Sequence, residues 1–184
     1  MEGHLMGRSR YGFGDPDSPH FMTNTILDWT PVFTRPDTVE IVLESIRFLQ
    51  RDSGLKVYGY VLLENHMHWI AQSEDLPNDV KRFKSYTARK IVDYLEEFHV
   101  RGVLDRLAYG RKRHKSDCDY QVWQEGSHPQ EITSADMLRQ KLDYIHMNPV
   151  IRGYVDEPTC WRYSSARNYA DREGLIDVFV DWIG

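Results

Sequence analysis

The stretch that most restricts this chain is KVYGYVLLENHMHWIAQ, Lys56 to Gln72. Two short apolar runs, 55–64 and 66–73, are rich in β-branched and aromatic residues and meet at Glu64-Asn65. Such runs read as two paired strands with a short connection, although one bent strand fits as well. A link that short suits antiparallel pairing, because parallel neighbours need a crossover of about a dozen residues or more. Around this pair, 20–33 reads as a strand leading into a turn. Val39, Val42, Ile46 and Leu49 recur at helical spacing over 38–52, with Asp37 as N-cap and Glu40 closing a capping box. A long helix is expected over 76–98, opening near Asn78, with Val80, Phe83, Thr87, Ile91, Tyr94 and Leu95 on its buried side. The basic stretch 99–119 reads as a loop and 120–132 as a further strand. A last helix over 133–150 would be capped by Thr133 or Ser134 and ended by Pro149. This order predicts an α+β fold: a ferredoxin-like (RRM-like) antiparallel sheet with helices packed on it.

At 184 residues the chain is long enough for one domain with a real core, residues 1–184, which includes a polar, glycine-rich and flexible N-terminal segment over about 1–18. No apolar run approaches the ~20 residues of a membrane helix. No signal-peptide core is present, so a cytoplasmic address and no membrane partner are expected. Cys118 and Cys160 show no CxxC spacing, which argues against a disulfide framework or a thiolate zinc site. The net charge of −5 conceals a segregation: residues 81–115 carry eleven basic and four acidic side chains, +7 locally and −12 elsewhere. A polyanion would feel that local field, although a solvated helix face and a charged loop would look the same.

In a strand, His66 and His68 project to one face while Met67 projects to the other. Two imidazoles so placed are either hydrogen-bonded core groups or two arms of a metal site, and the pair alone does not decide. Tyr144 and Asn148 are four apart on the last helix and share a face. The amide oxygen of Asn148 would complete a two-histidine set for a divalent ion that accepts oxygen ligands, Mg2+ or Mn2+. Tyr144 would then place a phenol beside the ion. A free phenol, pKa ~10, is a weak nucleophile at neutral pH, but a polarised phosphate asks little more of it. By spacing alone Tyr144 could equally be a core aromatic. Tyr86 and Tyr154 compete as nucleophile but lack a ligand four residues on. His114, His128 and His146 are not at ligand spacing, and His146 faces away from Tyr144.

The motifs NHMHW, YIHMNPV and CWRYSSARNY, in that order, resemble those of the REP-associated tyrosine transposases. That group lies within the insertion-sequence 200-like transposase family of HUH single-strand endonucleases, and the resemblance covers about residues 10–170. It implies His66, His68 and Asn148 as metal ligands for Mg2+ or Mn2+, and Tyr144 as the catalytic nucleophile. Single-stranded DNA would be cut to leave a 5′-phosphotyrosine link and a free 3′-OH that can later attack it. Hairpin DNA is the implied recognition element. Glu64 departs from the proline of many relatives, and 99–119 is an extra stretch. Lys81, Arg82, Lys84, Arg89 and Lys90 could then track a phosphate backbone, and Arg111, Lys112, Arg113 and Lys115 could clamp a hairpin stem. Trp69, Tyr86 and Trp123 are either stacking platforms or core, and Arg162 and Arg167 either helpers or surface ion pairs. A monomer, or a homodimer that exchanges tyrosine helices, is compatible with the motifs. Two rivals stay open: a non-catalytic, domesticated DNA-binding relative, and an RNA-binding domain on a similar sheet.

Overall fold

A computed structural model describes residues 13–15, 18–110, 119–126 and 129–183. The elements are β1 (His20–Thr25), α1 (Pro36–Asp52), β2 (Lys56–Leu62), β3 (His66–Gln72), α2 (Leu76–Glu97), α3 (Arg101–Tyr109), β4 (Gln130–Glu131) and α4 (Ala135–Ile151). The strands form one antiparallel sheet in the order β2-β3-β1-β4. With α1 and α2 on one face, this is the expected α+β, ferredoxin-like arrangement.

Strand alternation divides the interior in two. Met67, Trp69 and Ala71 turn toward α1 and α2 and share a core with Val42, Ile46, Val80, Phe83 and Ile91. Ile70 of β3, with Tyr58 and Val61 of β2, turns toward α4 and meets Leu138, Leu142 and Ile145. Gly59 makes the second interface possible. A Cβ there would stand 2.3 Å from the Leu142 side chain, so only glycine lets α4 come this close to β2.

The β2 edge is covered by the chain after α4. Leu62 N–H donates to Tyr163 O, Ser165 N–H donates to Tyr60 O, and the Trp161 indole donates to Leu62 O at 2.9 Å. The CWRYSSARNY motif therefore protects a sheet edge that would otherwise present free backbone groups. Its Ser164 and Ser165 are fully buried.

Several local expectations are corrected. The first strand stops at Thr25, because Asp28 and Trp29 adopt positive φ (51° and 54°) and Pro31 follows. Arg35, extended, precedes α1; Asp37 instead accepts from the Tyr94 hydroxyl, and Glu40 pairs with Arg47, so no capping box forms. Asp75 caps α2 by accepting from Asn78 N–H, which starts the helix at Leu76. The stretch read as a loop over 99–119 contains α3, held by buried Leu104 and Leu107. The 120–132 strand reduces to one bridge at Trp123 and the two-residue β4, since Val122 and Trp123 are drawn into the core. Ser134 caps α4, and Pro149 lies inside it. Only one bond is lost there, and the helix ends at Gly153 (φ 73°), where Gly153 N–H and Tyr154 N–H return to Val150 O and Pro149 O.

Candidate active site

The site forms where β3 faces α4. His66 and His68 are 2 % and 6 % exposed, with ring centroids 4.9 Å apart and planes at 80°. The Nδ1 of His68 is 2.8 Å from the hydroxyl of Thr23, its cross-strand partner. The Nδ1 of His66 is 2.6 Å from Asn65 Oδ1. An amide oxygen can only accept, so Nδ1 of His66 carries the proton and Nε2 holds the lone pair. The Thr23 contact allows the same tautomer in His68. Partners of this kind on the far nitrogen are what aim a histidine at a metal.

Both Nε2 atoms point into the space below α4. The Tyr144 hydroxyl is 3.4 Å from His68 Nε2, and an Arg152 terminal nitrogen is 3.4 Å from His66 Nε2. The Nε of Arg152 donates to Asn148 Oδ1 at 2.9 Å, and its other terminal nitrogen is 3.7 Å from Glu64 Oε1. Burial, with the Arg152 charge as a secondary cause, pushes His66 down to about 4. Burial, then His66, Arg152 and Lys141, push His68 down to about 3. Both imidazoles are therefore neutral at pH 7, the state a metal requires.

Tyr144 itself is 46 % exposed, so its phenol opens to solvent while the histidines beneath it do not. Its ring meets His68 edge-on at 5.1 Å and Phe21 at 6.0 Å. Lys141, one turn earlier on α4, lies over the Phe21 ring with Nζ 4.7 Å from the centroid. On the other side Trp29, 54 % exposed, sets its indole edge-to-face against His66 at 5.3 Å. Its carbonyl accepts from Asn65 Nδ2, the same amide that orients His66. A bulky residue held at positive φ beside a polar cluster marks stored local strain.

His66 and His68 are thus brought together with Tyr144 and Asn148, and the contacting pair, His68 and Tyr144, is 76 residues apart in sequence. Among the described residues no three His, Cys, Asp or Glu side chains close into a metal-holding cluster. The amide oxygen of Asn148, which accepts from Arg152, is the group that would serve as a third donor, and Glu64 is turned onto Arg152. The donor set, two neutral imidazoles and an amide oxygen, fits a divalent ion. Glu64 Oε2 is buried without a partner, a further unmet demand for a cation or donor.

The basic residues of α2 do not join this group. Lys81, Arg82, Lys84, Arg89 and Lys90 belong to the helix across the sheet. Arg82 is paired with Asp52 and Asp79, Lys90 lies 3.9 Å from Asp93, and burial lowers the Lys84 pKa. Arg111, Lys112, Arg113 and Lys115, with His114, His128 and Cys118, lie outside the described residues. Trp69 and Trp123 are core, 0 % and 6 % exposed, which removes them as stacking platforms; Tyr86 is exposed, but on α2. Arg167 donates to Thr159 O. His146 does face away, its Nε2 2.8 Å from Ser165 Oγ.

Sequence reasoning missed Thr23, Trp29, Lys141 and Arg152. Lys141, three residues before Tyr144, and Arg152, four after Asn148, carried a readable helical spacing.

Across 95 % of this chain and 94 % of the other, the structure superposes on a REP-associated tyrosine transposase bound to a REP hairpin, with a TM-score of 0.63 and 19 % identity. The chain has the fold of that transposase. A second structure, of a protein provisionally assigned as a transposase from Deinococcus radiodurans R1, covers 76 % of this chain and 94 % of its own at 16 % identity. Its TM-score of 0.43 is too low to carry an argument. No family model matches the chain, and no curated protein matches it significantly. No described helix is long and apolar enough to cross a membrane.

Proposed function

We propose that this protein is a tyrosine transposase of the REP-associated, insertion-sequence 200-like kind, which cuts and rejoins single-stranded DNA with Mg2+ or Mn2+. The observation that carries the reading is the Tyr144 hydroxyl 3.4 Å from the Nε2 of His68, above two neutral imidazoles whose far nitrogens are already held. A buried pair of core histidines has no need of an exposed phenol on its lone-pair side.

In this reading His66, His68 and Asn148 hold the ion, which when bound draws charge from the scissile phosphate. Tyr144 Oη forms a bond to phosphorus as the bond to the 3′-oxygen breaks, leaving a 5′-phosphotyrosine and a 3′-OH. His68 Nε2, committed to the ion in this reading, has no lone pair free for the phenol proton, so that proton passes to water at the exposed hydroxyl. Lys141 is placed to meet a phosphate oxygen, and Trp29 to stack an unpaired base of the flanking strand. The reverse attack by the 3′-OH conserves the bond energy and rejoins the strand. Because Tyr144 meets His68 of its own chain, the arrangement supports action in cis. A hairpin next to the cleavage position is the proposed recognition element, as the solved relative binds one.

The test is incubation with a REP-like hairpin oligonucleotide carrying single-stranded flanks and Mn2+. A covalent protein–DNA adduct stable to denaturant is expected, lost on chelation and lost in Tyr144→Phe. Tight binding with no adduct under any metal would leave the non-catalytic DNA-binding rival in possession. An adduct formed by Tyr144→Phe would sink the nucleophile assignment.

A further inference from the structure

The guanidinium of Arg152 lies among the donors that the proposed function assigns to the metal. Its Nε takes Asn148 Oδ1, one terminal nitrogen faces the lone pair of His66, and the other faces Glu64. We infer that Arg152 is an exchangeable cation that holds the place of the metal and must turn away before the ion can load. The inference rests on the metal reading above and specifies how that site is regulated.

Three features support it. First, the guanidinium lies on the lone pairs a metal would take, the amide oxygen of Asn148 at 2.9 Å and the Nε2 of His66 at 3.4 Å. Second, Arg152 has solvent to turn into. It follows the last residue of α4, its side chain is 37 % exposed, and Gly153 directly after it ends the helix. Third, Glu64 is fixed where it can retain the guanidinium. The backbone of its turn is pinned by Phe33 N–H on Glu64 O, Ile26 N–H on Asn65 O and Leu63 N–H on His66 O. A guanidinium and a divalent ion cannot share the same donors, so each must weaken the other's binding. A phosphate that captures the planar guanidinium would relieve this competition, so strand and metal binding should reinforce one another.

The direct measurement is Mn2+ affinity by calorimetry, without DNA, for the wild-type protein and for Arg152→Met, Arg152→Lys and His66→Ala. Arg152→Met should bind Mn2+ about tenfold or more tightly than wild type, because the competing charge is gone. Arg152→Lys, whose single ammonium cannot span three donors, should fall between them. It carries the test by itself if the methionine variant does not fold. Mn2+ should also raise the melting temperature of Arg152→Met more than that of wild type. Oligonucleotide should enhance Mn2+ affinity less in Arg152→Met than in wild type. Should the Arg152 variants bind Mn2+ equally or more weakly while His66→Ala abolishes binding, Arg152 is a structural brace and this inference is wrong, with the metal site intact. Should no protein with His66 intact bind Mn2+, the metal reading fails and takes the inference with it.

Discussion

Strand β3 sends Met67, Trp69 and Ala71 to one face of the sheet and His66, His68 and Ile70 to the other, and the two faces satisfy their buried groups differently. Beneath α1 and α2 the face is closed: Trp69 is fully buried, its indole donates to Asn24 Oδ1 at 2.8 Å, and Phe83 covers its ring at 5.4 Å. Beneath α4 the imidazoles are just as buried, yet their Nε2 atoms reach only a phenol and a guanidinium at 3.4 Å each. Those contacts are long for hydrogen bonds. The Trp69 indole has its partner in place, although Asn24 Nδ2 and Tyr60 Oη on the same side have none. The imidazole lone pairs stop short beside an exposed tyrosine, which under the proposed function is where the ion enters.

The largest effect should come from the open face. Under the proposed function His66→Ala removes a metal ligand, and with it several kcal/mol of charge stabilisation, so nicking should fall by about 10³-fold or more. The same variant should melt within a few degrees of wild type. If it unfolds instead, the open face is structural after all. On the closed face Trp69→Ala should destabilise by about 3–5 kcal/mol in denaturant titration, the ordinary loss for a buried aromatic. Any folded fraction should keep its Mn2+ affinity.

An intermediate effect is set by pH. Burial holds His66, His68 and His146 at about 4, 3 and 4, whereas an unfolded histidine titrates near 6.5. Folded values below the unfolded one mean that this stability is complete above pH ~6.5 and is lost as pH falls toward 4, because the unfolded chain binds more protons. Melting temperature should decline across that window, and His146→Asn, on the side of α4 turned away from Tyr144, should make the decline shallower.

Two smaller effects compare the open face with the basic helix. Trp29→Ala should weaken single-stranded oligonucleotide binding by about 5–100-fold, the range for losing one stacked base, with the melting temperature nearly unchanged. The double variant Lys81→Ala/Arg89→Ala should weaken it only a few-fold at about 0.1 M salt, and less as salt rises. A larger loss from α2 than from Trp29 would reverse the assignment and place the strand across the α1/α2 side.

Much of the architecture was readable because periodicity reports burial. The HMHW alternation, the helical spacing of Val39 to Leu49 and the Ser134 cap all carry local signals, and each led to the right element. The errors fell where distant contacts override local preference. Asp37 lost its capping role to a bond with Tyr94, and Trp123 was pulled from a strand into the core beside Phe83. The residues 101–109 became a helix because Leu104 and Leu107 found a core to enter. The basic density of 81–90 lies on a helix across the sheet from Tyr144.

The sequence by itself determined which groups could do chemistry. The two-residue repeat of β3 puts His66 and His68 on one face, and the four-residue spacing in α4 joins Tyr144 to Asn148. Only the tertiary structure decided that these pairs meet, because their approach depends on Gly59 admitting α4 against β2 and on the 161–166 segment closing the β2 edge. Only the structure shows the second nitrogens held by Thr23 and Asn65, and Arg152 among the donors. Such contacts are set by rotamers and register across the interface between sheet and helix, where residues far apart in the chain share one small volume and no local pattern records which of them will meet.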